Sequence, residues 1–201
     1  VTFNFSGEKF LNSIAPKEKQ SFWTKGKLAL AAFAGLGLIF ALGFMIFGGS
    51  GDSNNDAITR VYYHIVNLEQ TVQNQQKRLK NSNLSALNAG LTTSLAANKT
   101  SLVSYMESRQ IKILKDSQMT KSTLFEKVSK DYTTLNETLE EAFLKTTLDE
   151  VYAREMSYQI SVVKSNIEKL KSRLNSKKAS EVLDEIVASL ETSRKSLSEF
   201  K

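Results

Sequence analysis

No cysteine occurs anywhere in the 201 residues. That excludes disulfides, thiolate nucleophiles and Cys-ligated metals, so packing alone must hold the fold. Histidine is nearly absent too: His64 is the single one. One histidine cannot supply the two Glu-x-x-His ligand sets of a di-iron bundle, and it falls short of a zinc or haem site. A Ser-His-Asp triad would have to use it, and no Gly-x-Ser-x-Gly turn accompanies it. There is no phosphate-cradling glycine loop. These gaps predict a chain with no catalytic residues, metal or cofactor. His64 is expected at a partly buried or surface position on a helix.

Chain breakers are scarce. Pro16 is the only proline, and beyond Gly51 the only glycine is Gly90. A stretch this long without breakers favours extended helices. Strong charge bias is also missing from the larger part. Residues 52–201 carry 22 Lys or Arg against 19 Asp or Glu. Nucleic-acid binding needs a concentrated basic stripe, so no nucleic-acid partner is expected.

What is present begins with Leu28 to Phe47, LALAAFAGLGLIFALGFMIF, twenty residues without a charge. At ~1.5 Å per residue a helix of that length spans about 30 Å, the thickness of a bilayer's hydrocarbon core. The run predicts one transmembrane helix over 28–47, because a helix pairs every backbone group internally in lipid. A cleaved signal peptide competes, but its apolar region is shorter, about 7–15 residues. Lys25 and Lys27 precede the run, and no cation follows it until Arg60. Positive residues stay inside, so the tail 1–27 is expected in the cytoplasm and the rest outside an inner (plasma) membrane. Trp23 suits the headgroup level on the same side.

The tail is aromatic. Val1-Thr2-Phe3-Asn4-Phe5 alternates like a strand with one sticky face, and Phe10 and Ile14 share a helical side. Phe3, Phe5, Phe10 and Ile14 are therefore candidates for docking on a cytoplasmic partner. Within the span, Ala34, Gly37 and Ala41 fall on one face. Small residues there let helices approach closely, so they are the candidate packing positions for a homo-oligomer or a neighbouring span. Residues 48–55, rich in Gly, Ser and Asn, read as a flexible linker. Three Asn-x-Ser/Thr triplets follow it, at Asn83, Asn98 and Asn136.

Residues 56–201 show helical periodicity throughout and no period-two pattern. Ile58, Val61, Ile65, Leu68, Val72 and Leu79 form a first seam, with Gln75 in its one polar slot. Leu84, Leu87, Leu91, Leu95, Leu102, Tyr105 or Met106 and Ile113 form a second, ending near 116–118. A third holds Leu124, Val128, Tyr132, Leu135, Leu139 and Phe143. A fourth holds Leu148, Val151, Tyr152, Tyr158, Val162, Ile167, Leu170 and Leu174. The fifth holds Val182, Leu183, Ile186, Leu190, Leu197 and Phe200. Thr147 and Ser180 are placed as helix caps, and Lys77, Arg78 and Lys80 at the end of the first helix, where cations suit the dipole. Short connections force antiparallel neighbours. The expected architecture is all-α: a transmembrane helix followed by an elongated up-and-down bundle of four or five antiparallel helices. A coiled-coil pairing between chains is a further option for the first helix, whose outer face is Gln- and Asn-rich.

The acidic run Glu137, Glu140, Glu141, Asp149, Glu150, Glu155 and the basic run Lys164, Lys169, Lys171, Arg173, Lys177, Lys178 read as solvated or cross-paired helix faces. The layout of short inner peptide, one span and outer helices resembles inner-membrane scaffold proteins of secretion and pilus machines. The helical part also resembles, in topology class, the ligand-binding bundles of bacterial chemoreceptors, but with one span instead of two. Two functions follow as expectations. One is a non-catalytic structural or interaction subunit of a cell-envelope assembly, contacting lipid and other envelope proteins. The alternative is a helical sensor or ligand-binding module that signals through a partner.

Overall fold

A computed structural model describes residues 54–200. The residues of the expected span, 28–47, of the tail 1–27 and of most of the linker lie outside it. Among the described residues no helix is long and apolar enough to cross a membrane. Six helices occur there, without strands: α1 Asn54–Gln75, α2 Ser82–Ser108, α3 Asp116–Met119, α4 Thr123–Leu144, α5 Leu148–Lys171 and α6 Lys177–Ser198. The five long ones match the five seams. α1 begins two residues inside the expected linker.

Helix ends depart from expectation for identifiable reasons. α1 stops at Gln75 and does not reach Lys80. The Asp149 carboxylate takes the backbone N–H groups of Lys80 and Asn81 at 3.1 and 2.8 Å, which holds the chain in a turn. Asn81 then caps α2, accepting from Asn83 and Leu84. α2 ends at Ser108, well short of 116. The Gln110 N–H donates to Glu107 O at 3.0 Å and the Ile111 N–H to Met106 O at 2.9 Å, with Gln110 left-handed at φ 56°. This is the double closure of a Schellman turn. Ile111 and Met106, the positions that usually make this turn's apolar contact, are both buried in the core. Thr147 makes no side-chain cap to α5; its hydroxyl points back to Ala142 O at 3.5 Å, and Asp149 and Glu150 in the first turn supply the negative charge instead. α6 is capped by Ser176, which accepts from Ala179 N–H at 3.3 Å, and Ser180 lies inside the helix.

α1 is the central element. It packs against α2, α4 and α5, while α6 bridges α2 and α5, and α4 also meets α5. Two groups, α1/α2/α5/α6 and α1/α4/α5, thus share α1 and α5. Consecutive long helices alternate in direction, but α1 and α4 are parallel neighbours. Tyr63, near the middle of α1, meets Phe125 in the first turn of α4 edge-on at 5.2 Å, and Arg78, just past α1, pairs with Glu140 in the last turns of α4 at 2.7 Å. The 109–122 connection, containing α3, is long enough to allow that.

The enclosure of α1 changes several expected roles. Its seam packs against α2, α4 and α5 of the same chain. His64 is 1 % exposed, not at the surface. On α5, which meets three helices, Ala153, Met156, Ile160 and Val163 are core residues, while Tyr158 and Val162 are half-buried. The stripe on such a helix is wider than a two-position seam. Ala142 takes the last core position of α4, leaving Phe143 at the rim, 38 % exposed.

Candidate functional site

Phe3, Phe5, Phe10, Ile14, Trp23, Lys25, Lys27, Ala34, Gly37 and Ala41, the residues nominated from sequence, all lie outside the described residues. The chemistry that the structure does bring together lies in three buried polar clusters and one exposed tip.

The first cluster ties α1 to α4 and α5. The Tyr132 hydroxyl donates to His64 O at 3.1 Å and sits 3.2 Å from His64 Nδ1. Its single proton is committed to the carbonyl, so the imidazole donates through Nδ1. Gln159 of α5 hydrogen-bonds the same hydroxyl. Next to it, Asn67 donates to Tyr63 O at 2.9 Å and accepts from Ser129 at 3.3 Å. Burial, then the nearby Arg60 cation, lowers the His64 pKa to about 4, so the ring is neutral at physiological pH. Burial alone raises Asp131, one position before Tyr132, to about 6.

The second cluster joins α1, α2 and α5 at the other end of α1. Asn88 is wholly buried and donates to Val72 O at 3.1 Å and to Gln76 Oε1 at 2.5 Å. Tyr152 donates to its Oδ1. The third joins α2 to α1 and α6: Lys99 pairs with buried Glu69, and Ser189 hydrogen-bonds both Ser94 and Asn98. Each cluster satisfies polar groups that would otherwise be buried unbonded at a cost of about 1–3 kcal/mol apiece. Together they fix helix register, which apolar contacts specify poorly. Sequence reading found one of these polar core positions, Gln75. It is 3 % exposed, and its Oε1 has no hydrogen-bond partner among the described residues. The others had the same signal, a polar residue in an apolar rhythm, but Asn67 and Asn88 fall beside the chosen seams.

Both charge runs stand on helix faces except for Arg173, which lies in the connection between α5 and α6. Lys164 pairs with Glu191 at 2.9 Å and Lys171 with Asp184, which is the cross-paired arrangement expected of a basic run. Arg194 and then Lys164 hold the Glu191 carboxyl at about 2. Among the described residues no group of three His, Cys, Asp or Glu is placed to hold a metal ion.

The tip lies where α1 turns into α2 and α4 into α5. Arg78 stacks over the Phe143 ring at 3.9 Å. Leu144 is 73 % exposed. Thr146 closes α4 in a second Schellman turn, at φ 58°, with Thr147 N–H to Ala142 O at 2.9 Å and Thr146 N–H to Phe143 O at 3.1 Å. A β-branched residue is strained there, and glycine is the usual occupant. A cavity of about 230 Å³ opens beside these residues, lined in part by Lys80, Phe143, Thr146 and Glu150. Sequence reading treated Phe143 as core and overlooked the pair it forms with Leu144. Adjacent apolar residues just before a polar turn were the available signal. Against protein-family models, curated protein sequences and solved structures, the chain has no match.

Proposed function

We propose that the chain is a non-catalytic, single-pass membrane protein of the cell envelope, acting as a structural or interaction subunit. The observation that carries this reading is the uncharged twenty-residue run 28–47 with lysines only on its N-terminal flank. The tail 1–27 then faces the cytoplasm and docks through Phe3, Phe5, Phe10 and Ile14. Ala34, Gly37 and Ala41 pack in the bilayer, and the helical bundle outside contacts envelope proteins.

The interior of the bundle supports a mechanical role. Its polar side chains are largely turned onto one another across helices, and the one histidine is out of reach of solvent. A sensor of dissolved ligands would keep polar groups facing an internal pocket. Here the interior instead stiffens the bundle as a lever or spacer.

Introduced cysteines test the topology cleanly, since the chain has none of its own. An impermeant thiol reagent applied to intact cells should label Ser53→Cys and spare Ser21→Cys; the reverse pattern refutes the orientation. Gentle detergent extraction with cross-linking and mass spectrometry tests the role. Stoichiometric protein partners, lost in the Phe3→Ala/Phe5→Ala variant, are expected. A chain recovered alone and stabilised by a small dissolved ligand would instead favour the sensor.

A further inference from the structure

Phe143 and Leu144 are the exposed large hydrophobic side chains among the described residues, and they are adjacent. They stand at the tip, beside the 230 Å³ cavity and the strained Thr146. Strain of this kind persists where surrounding structure enforces it, and it collects at contact sites. The charges around the pair are unevenly used. Arg78 is neutralised by Glu140 and Lys145 by Glu141. Asp149 in the same lining is taken up by the backbone N–H groups of Lys80 and Asn81, whereas Lys80 and Glu150 line the cavity and form no ion pair among the described residues.

We propose that this tip is a docking surface for a second copy of the same chain. A two-fold contact must be complementary to itself. An apolar centre whose cavity is flanked by a cation and an anion without ion pairs of their own meets that condition. Across the axis, Lys80 of each copy faces Glu150 of the other, and Leu144 of each meets Leu144 of the other at the centre. A partner of single charge sign would satisfy one of the two charges and oppose the second. The patch is small beside the ~1,200–2,000 Å² of a stable solution interface. The contact is therefore weak between free molecules and becomes effective when copies are held at high local concentration, as anchoring would hold them.

Full-length chain in detergent micelles, carrying Leu144→Cys in its cysteine-free background, provides the test. Mild oxidation should give a disulfide-linked dimer much faster than with Lys178→Cys, an exposed site at the start of α6. Adding Lys80→Glu or Glu150→Lys should slow cross-linking about tenfold or more, because like charges then face each other. Mixing the two charge variants should restore it, as should combining both changes in one chain. Restoration by mixing also shows that each variant is folded. Equal cross-linking at positions 144 and 178, indifference to either charge reversal, or failure of the mixture to recover would each overturn the homotypic contact.

Discussion

His64 and Tyr132 are joined twice across the parallel α1–α4 contact: the imidazole Nδ1 meets the phenol hydroxyl at 3.2 Å, and that hydroxyl donates to the His64 backbone carbonyl at 3.1 Å. Both side chains are almost fully enclosed. Tyr132→Phe leaves the buried His64 nitrogen and carbonyl without that hydroxyl. A loss of about 1–3 kcal/mol in stability is expected. Urea denaturation of the variant against the parent at pH 7 measures it, and a loss under half a kcal/mol would rule out a structural role for the pair.

The same pair has a pH signature. His64 titrates near 4 folded and near its ordinary 6.5 unfolded, so the unfolded chain takes up the proton first. Stability therefore falls as pH drops from 6.5 to 4, by about 3 kcal/mol at the lower end. Asp131 works against it. Its folded value near 6 lies above its ordinary 3.8, so the folded chain binds the proton first and stability rises over nearly the same window. Asp131→Asn should stabilise the protein at pH 7 and make its loss of stability between pH 6.5 and 4 steeper. Melting temperatures at half-unit pH steps would show both effects. A parallel shift of the whole curve would mean that Asp131 does not titrate there.

Leu135 on α4 and Leu170 on α5 are 7 % and 3 % exposed and sit in the core. Truncating either to alanine should cost about 2–5 kcal/mol. Chemical denaturation gives the number directly. Leu144→Ala, at an exposed site, serves as the control and should change stability by less than about half a kcal/mol.

Thr146 should be improved by glycine. Its left-handed conformation costs a β-branched residue about 1–2 kcal/mol, part of which glycine returns through a freer unfolded chain. A net gain of roughly half to one kcal/mol is expected for Thr146→Gly. The same substitution at Thr133, in the middle of α4, should instead destabilise by roughly 0.3–0.5 kcal/mol. Thermal melts of the two variants check the difference in sign.

Asn88 joins three helices, and its removal tests register. Asn88→Leu strands the Tyr152 hydroxyl and the Val72 carbonyl, so stability should fall by about 2 kcal/mol or more despite the gain in apolar surface. Paired with Tyr152→Phe, part of that loss should return. A double-mutant cycle with a coupling energy near zero would dissociate the two residues.

The sequence alone determined that the chain from residue 56 onward is mostly helical and where most helices lie. Period-3.6 seams and the absence of proline and glycine are local properties, and local backbone energetics act on them directly. It also determined the breaks at Asn81, Lys145 to Thr147 and Asn175-Ser176, where short polar residues compete for the backbone. Only the tertiary structure decided which faces were core. α1 and α5 each meet three neighbours, so their buried stripes outgrow a seam and draw in His64, Asn67, Met156 and Gln159. Only it decided that the parallel α1 and α4 are direct neighbours, with the 109–122 connection crossing between α2 and α4 after the left-handed Gln110. No glycine marks that turn; the Ile111 N–H to Met106 O bond closes it and both side chains are buried in the core. The exposed pair at the tip is likewise a tertiary outcome: Ala142 fills the last core layer, and Phe143 is left outside it against Arg78.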